Sequence, residues 1–182
     1  MLKINEQITL RSPQAKDTEA MYQYRNDPDI VTALEGFSKG FSRKDMLEWV
    51  EKQQNRKNDR IWVIADADDQ CVGHCGLYKI DSETGMADIA VCIGNAAFRK
   101  GQSRAIMKAV VNYAFEELNL RKITAEILDT NKISINFTKK FGFKEECVLR
   151  EQEYRNGVYV DMHIFGLFRC DWNPDALRCL PV

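Results

Sequence analysis

The chain has 182 residues, with 26 Lys and Arg against 27 Asp and Glu and a formal net charge of −1. Dedicated nucleic-acid-binding proteins usually carry a strong basic excess, so this balance argues against one. The six cysteines are scattered. Cys71 and Cys75 are four residues apart, but no second pair with zinc-like spacing follows. The N-terminus is too polar for a signal peptide, and no apolar run is long enough to span a bilayer. We therefore expect a cytoplasmic protein without a metal site or a membrane partner.

The first third of the chain predicts one short strand and two helices. Residues 8–11 have the pattern of a strand. Asp17 is a candidate N-cap for a helix that should end before Asn26-Asp27-Pro28. Ser42, with Asp45 three residues later, predicts the start of a second helix because this pair can cap the first turn reciprocally.

The remaining elements follow a meander, a crossover and a hairpin. Three strands come first, then a long helix ending near Leu118, a strand, a short helix closed by Gly142, and a hairpin turning at Asn156-Gly157, the strongest short hairpin signal. The predicted ranges are strands 60–67, 71–80, 85–93 and 122–128, a helix over 131–141, and a strand from 143. The register of the hairpin turn predicts Tyr154 opposite Tyr159 and Gln152 opposite Asp161. This order predicts an α+β fold, with a mostly antiparallel central sheet and helices on both faces, in a single domain over residues 1–182.

A basic turn precedes the long helix. It reads Arg99-Lys100-Gly101-Gln102-Ser103-Arg104. The first N–H groups of a helix lack backbone partners and carry partial positive charge, and a glycine allows a ligand to approach the backbone closely. These features predict a phosphate-binding turn. The alternative is a solvated basic loop with a turn glycine, since the sequence is neither a P-loop nor a dinucleotide fingerprint.

Three segments in order carry a resemblance to a known family. The strand over 86–93 leads into the basic turn, NKISINFTKKFGF follows at 131–143, and YRNGVYVDMHIFGL follows at 154–167. This arrangement resembles the GNAT superfamily of acetyl-CoA-dependent N-acetyltransferases, in particular the branch that includes ribosomal-protein N-terminal acetyltransferases. The resemblance covers residues 8–172 and leaves 173–182 as a tail. It implies that acetyl-CoA is the acetyl donor.

The resemblance also implies which residues bind the cofactor. Ser103 and Phe98 depart from the usual residues of the family's pyrophosphate turn, but the backbone amides of that turn are expected to bind. The strand residues before the turn should diverge from the next strand and contact the pantetheine arm, as should Asn131, for which a simple N-cap is the alternative. The cofactor set is Val91, Cys92, Ile93, Arg99, Lys100, Gly101, Gln102, Ser103, Arg104, Asn131 and Ser134.

The catalytic residues implied by the resemblance are a base and an acid. Asp88 matches a carboxylate that can take the proton of the amine, although an ordinary polar strand position is the alternative. Thr138 stands where many family members have a tyrosine that protonates the departing thiolate. Ser134, Thr138 or a water could protonate the thiolate in place of that tyrosine. Tyr159 or Tyr154 could be an acid displaced to another position in the chain, or a contact of the acceptor. The two histidines, at positions 74 and 163, are expected to be structural.

The acceptor is expected to be a primary amine of a small molecule or of a protein N-terminus. Its predicted contacts are Tyr24, Arg25, Asn26, Phe37 and Tyr154. A nucleotide-linked amino sugar is an alternative acceptor. Two non-enzymatic alternatives are an acyl-CoA-binding domain without turnover and an anion- or nucleotide-binding interaction module. A homodimer is left open.

Overall fold

The computed structural model describes residues 1–33, 40–53, 56–94 and 96–174, with no side-chain detail at positions 33 and 96–100. Within these residues the chain forms one eight-stranded sheet in the order β1-β2-β3-β4-β5-β6-β8-β7. The strands are β1 (Leu2–Lys3), β2 (Thr9–Arg11), β3 (Arg60–Ala65), β4 (Cys71–Asp81), β5 (Met86–Ile93), β6 (Lys122–Leu128), β7 (Lys144–Arg155) and β8 (Val158–Phe168).

Every neighbouring pair of strands is antiparallel except β5 and β6, which are parallel. The helices are α1 (Thr18–Arg25), α2 (Pro28–Ala33), α3 (Arg43–Gln53), α4 (Ala96–Asn112) and α5 (Lys132–Phe141). Helix α4 connects the two parallel strands and continues as a π-helical turn over Tyr113–Glu117. The predicted meander, crossover and mostly antiparallel sheet are confirmed.

Helices cover both faces of the sheet, as the sequence predicted. Alternation along β3 shows this, because Trp62 and Ile64 belong to a buried cluster that includes residues of α4 and α5. The intervening Val63 and Ala65 belong to a second cluster with residues of α1 and α3. The apolar side chains of α4, which include Ile106, Met107, Val110 and Val111, are buried against the first of these faces.

Local sequence signals explain where several elements begin and end. The Ser42 N–H donates to the Asp45 carboxylate at 2.7 Å, and the Asp45 N–H donates to the Ser42 hydroxyl at 3.1 Å, which is the predicted capping pair. Gly142 ends α5 with a φ of 112°. Asn156 and Gly157 have φ values of 50° and 88°, as a type I′ hairpin turn requires.

The structure adds to or corrects three predictions in the first two-thirds of the chain. The first helix ends before Asn26-Asp27-Pro28, as predicted, but Pro28 also begins α2, which was not predicted and where proline needs no N–H partner. Asp17 is the N-cap residue of α1, as predicted, but its carboxylate does not bond to that helix; it accepts from the Arg11 guanidinium and from the Gln14 N–H, each at 2.8 Å. Helix α4 begins at Ala96, so the basic turn lies within its span rather than before it.

The long hairpin of β7 and β8 has an irregular register. Tyr154 lies opposite Tyr159, as predicted. The predicted pairing of Gln152 with Asp161 was wrong, because the register shifts between Leu149 and Glu153. Asp161 instead accepts a hydrogen bond from the backbone N–H of Glu151 at 2.8 Å. The bulge increases the local twist of β7, which is the edge strand of the sheet.

Candidate active site

The sheet opens between β5 and β6. The parallel register runs from Met86–Lys122 to Asp88–Thr124 and ends there, although both strands continue for several residues. On its other side β5 stays paired with β4 as far as Gly73–Ile93. The predicted divergence of the two parallel strands is therefore present. Val91, Cys92 and Ile93 lie on the β5 side of the opening, and their contact with pantetheine stays a prediction.

The turn at Gly101 has the geometry of a ligand-binding backbone. Gly101 has a φ of 85°, a conformation that interrupts regular helix geometry and that residues with a Cβ rarely adopt. A Cβ built on Gly101 would meet no heavy atom of the described residues within 4 Å, so a ligand can approach the backbone. The basic residues of this turn, Arg99, Lys100 and Arg104, add positive charge that favours an anion there. This geometry fits the pyrophosphate of CoA.

The structure describes the side chains of this turn from Gln102 onward. Arg99 and Lys100 belong to the positions without side-chain detail, while Ser103 and Arg104 are half-buried. The Gln102 side chain donates to Gln7 at 2.7 Å and accepts from Asn5 at 3.3 Å, so it contacts the segment between β1 and β2. The side chain of Gln102 is therefore engaged, and its backbone amide is the group that remains to bind a phosphate.

Asn131 lies at the start of α5, beside the carboxyl end of β6. Its Oδ1 accepts from the Ser134 N–H at 3.1 Å, so the alternative of an N-cap is correct. Asn131 also lines a cavity of about 270 Å³ between α5 and α2, to which Asp29 and Thr32 contribute. The cap uses the oxygen of the side chain, and a contact of Asn131 with pantetheine stays a prediction.

Asp88 lies where the opening begins, on the face covered by α1 and α3. It lies four residues before Cys92, so the two side chains point to the same face of β5, and Cys92 packs in the cluster with residues of α1 and α3. The Asp88 carboxylate accepts from the Thr124 hydroxyl and is 2.8 Å from the Lys79 ammonium. About a quarter of the side chain is exposed, at 27 %. The carboxylate is thus partly accessible and already binds a cation.

Tyr78 was missed by the sequence analysis. It is the cross-strand partner of Asp88 on β4. Burial, followed by the proximity of Cys75, raises the pKa of Tyr78 well above its usual value, so the phenol stays protonated near neutral pH. No sequence motif marks Tyr78, and only the register of β4 and β5 places it beside the candidate base.

The candidates for the acid differ in accessibility. Thr138 is 3 % exposed on the buried side of α5, and Ser134 is half-buried. Tyr154 and Tyr159 contact each other with ring centroids 5.1 Å apart and are 60 % and 67 % exposed. Strand β8 pairs with β6 only from Phe168 to Met162, so Tyr159 extends about 10 Å past the end of β6, beside the opening.

The predicted acceptor residues on α1 are engaged in packing. Tyr24 is buried, and its hydroxyl lies 2.9 Å from Nδ1 of His74. Burial, followed by the nearby Arg25 charge, lowers the pKa of His74 to about 3, so its imidazole is neutral. Arg25 is buried and lies over the rings of Phe41 and Trp49. These contacts are structural, and direct acceptor contacts of Tyr24 and Arg25 stay predictions.

Asn26 and Phe37 complete the predicted acceptor set. The Asn26 amide donates to the carbonyls of Tyr22 and Phe41 at 2.7 and 3.1 Å, and its oxygen accepts from the Phe41 N–H at 2.8 Å. Asn26 therefore joins the end of α1 to the segment before α3. Phe37 lies outside the described residues. Among the described residues, no group of His, Cys, Asp and Glu could hold a metal ion.

The fold and the opening define an acyl-CoA-binding transferase, and comparison with known proteins gives the family. The model of the acetyltransferase (GNAT) domain matches residues 7–144, so the chain belongs to the GNAT acetyltransferase family. The uncharacterized N-acetyltransferase p20 of Bacillus licheniformis is 27% identical over 170 residues, which are 92% of this chain and 96% of p20.

Similarity to spermidine acetyltransferases of Vibrio cholerae covers nearly the whole chain. Spermidine N(1)-acetyltransferase of that organism is 27% identical over 160 residues, 87% of this chain and 91% of the relative. The structure of a spermidine N-acetyltransferase in complex with CoA and spermine has a TM-score of 0.82 and 25% identity, and covers 92% of this chain and 98% of its own. The protein is an N-acetyltransferase that uses acetyl-CoA and acts on an amine.

Proposed function

We propose that the acceptor is a small-molecule primary amine, which reaches the β5–β6 opening from the face of Asp88 and Tyr78. Acetyl-CoA would lie with its pyrophosphate on the amides around Gly101 and its pantetheine arm between the diverging strands. The observation that carries the proposal is the end of the parallel register at Asp88, which places a partly exposed carboxylate at the mouth of the opening.

The Lys79 ammonium beside Asp88 supports this direction of approach. Its side chain is 76 % exposed, and its Nζ is 2.8 Å from the carboxylate. A substrate ammonium has the same charge and hydrogen-bonding pattern, so it can replace Lys79 on this oxygen. The carboxylate would then take a proton and leave a neutral amine that can attack the acetyl carbonyl.

A small acceptor is supported by the relatives and by the packing of the site. Two of the similar proteins reported above are named for spermidine, which carries primary amines. On the Asp88 face, Tyr24 and Arg25 are buried, and Asn26 ties the backbone before α3. These contacts fill the part of the Asp88 face beside α1, which favours a small acceptor over a bulky one.

The test is release of CoA thiol with a panel of acceptors at saturating acetyl-CoA. The panel contains spermidine, a monoamine such as phenethylamine, a free peptide N-terminus and a secondary amine as the negative control. Turnover with a small primary amine and none with the peptide is the expected result. Turnover with the peptide alone would overturn the small-molecule proposal while keeping the enzyme class.

Three further properties are proposed. Residues 1–182 form one domain, which the continuous sheet supports. The start of the tail contacts α4, because the Pro174 carbonyl lies 3.1 Å from Lys108.

A homodimer is supported by the exposed side chains of Val148, Leu149 and Val158 on the hairpin, and light scattering tests it. A cytoplasmic location is supported by Cys71, Cys75, Cys92, Cys147 and Cys170, which form no disulfide among the described residues, because reduced thiols persist in a reducing compartment. Independently, no described helix is both long and apolar enough to cross a membrane.

A further inference from the structure

The sequence analysis assigned His163 a structural role, and the structure places its ring between two carboxylates. Nδ1 lies 2.5 Å from Oε1 of Glu145, and Nε2 lies 2.8 Å from Oδ1 of Asp129. Ionised carboxylates only accept hydrogen bonds, and a neutral imidazole has a single N–H. The protonated imidazolium, with two N–H groups, is therefore the form that satisfies both partners.

Other charged groups surround the ring and its two carboxylates. Lys132 and Lys139, both on α5, pair with Asp129 and Glu145 respectively. The other titratable neighbour on the same face of β8 is Asp161, which accepts a backbone N–H from Glu151. Burial alone would lower the pKa of His163, but the hydrogen bonds to Glu145 and Asp129 outweigh it and raise that pKa.

The two carboxylates lie in different parts of the fold. Glu145 is on the edge strand β7, whereas Asp129 directly follows β6 and begins the turn that leads into α5. In this turn the Asp129 N–H donates to the Asp161 carbonyl, and the Asn131 N–H donates to the Leu128 carbonyl, both at 2.9 Å. The imidazolium therefore connects β7 and β8 to the backbone that sets the position of Asn131.

We propose that His163 is a positioning residue for the cofactor, whose imidazolium fixes Asp129 and through it the turn that presents Asn131 and the first turn of α5 to the pantetheine arm. This inference rests on the proposed cofactor site. Loss of the proton leaves one carboxylate without a donor from the ring, so the turn becomes looser and acetyl-CoA binds more weakly. The positioning is complete at low pH and is lost as pH rises through the raised pKa.

The test is direct binding of acetyl-CoA by calorimetry between pH 6.5 and 9, which avoids the protonation of the acceptor amine. His163→Gln should raise Kd about fivefold at pH 6.5, and the ratio to wild type should fall toward one at pH 9. His163→Arg keeps a permanent charge and two donors, so its Kd should depend on pH less than that of wild type. At saturating acetyl-CoA, kcat of His163→Gln should stay within about twofold of wild type.

A matched pair of variants separates positioning from general stability. Asp129→Asn should raise the Kd of acetyl-CoA, because Asp129 lies in the turn, whereas Glu145→Gln should change it much less. Melting of each ligand-free variant identifies any that fails to fold. Equal effects of the pair, or a His163→Gln ratio that is one or does not vary with pH, would overturn the inference. A wild-type protein that does not bind acetyl-CoA would instead refute the cofactor site itself.

Discussion

Strand β5 has two neighbours, and they meet it in different ways. With β4 it pairs from Asp81–Met86 to Gly73–Ile93, and the backbones are so close that a Cβ on Gly73 would lie 2.3 Å from the Cys92 carbonyl oxygen. With β6 it pairs only as far as Asp88–Thr124. One edge of β5 is closed by a continuous antiparallel ladder, and the other opens toward the start of α4.

This difference separates residues that stabilise the fold from residues that act on a substrate. The closed edge contains Gly73 and His74, whose neighbours are fixed by packing. The open edge has Asp88 at its mouth, with Gly101 in the first part of α4, which follows β5, and Asn131 in the turn that follows β6. Substitutions on the closed edge should therefore lower stability, and those beside the open edge should lower binding or turnover.

The largest expected effect is that of Asp88→Ala. Loss of a general base should lower kcat by about 10³-fold, with the greatest fractional loss at low pH, where few acceptor amines are neutral. The measurement is the pH–rate profile at saturating acetyl-CoA. Lys79→Gln is the control, because it removes the ion pair and keeps the carboxylate. An Asp88→Ala profile with the shape of the wild-type profile would remove Asp88 from the role of base.

Gly73→Ala should have the next largest effect, on the closed edge. The added Cβ would overlap the Cys92 carbonyl, so the two strands must move apart, at a cost of about 3 kcal/mol in the free energy of unfolding. Urea unfolding measures this loss. Gly101→Ala is the comparison without overlap: its Cβ has space, but its φ of 85° still strains an alanine, so it should lose less, about 1 kcal/mol. Equal stability of Gly73→Ala and wild type would show that the two edges of β5 do not differ in tightness.

Gly101→Val should act on the open edge. The new side chain stands where the phosphate must approach the backbone, so we expect the Kd of acetyl-CoA to rise about 100-fold. Gly157→Val is a matched control, since Gly157 has a φ of 88° against 85° and its Cβ also meets no described atom within 4 Å. It shares the backbone strain but lies on the hairpin. Similar Kd values for the two variants would argue against a phosphate site at Gly101.

Tyr24→Phe should have the smallest effect of the four. It leaves Nδ1 of the buried His74 without its hydrogen-bonding partner and should lower the free energy of unfolding by about 1–2 kcal/mol. Tyr154→Phe, at an exposed ring, is the control and should be neutral. A change in the Kd of acetyl-CoA for Tyr24→Phe without a change in stability would place Tyr24 in the site rather than in the packing.

Local patterns predicted most of the fold. The hairpin at Asn156-Gly157, the cap at Ser42 and the end of α5 at Gly142 depend on neighbouring residues, so the sequence contains the whole signal. Helix α2 was missed because Pro28 is compatible both with a break and with a first turn. The carboxylates beside His163 are 18 and 34 residues away in the chain, and Tyr78 meets Asp88 only through strand register, so no local pattern could reveal them.

The central claim is that the β5–β6 opening and the turn at Gly101 bind acetyl-CoA. Thermal melting with acetyl-CoA, free CoA and ATP tests it most directly. A ligand at one hundred times its Kd adds about 2.7 kcal/mol of stability, a shift that melting resolves. We predict that acetyl-CoA and CoA raise the melting temperature and that ATP raises it little. Absence of a shift with both CoA species would contradict the claim.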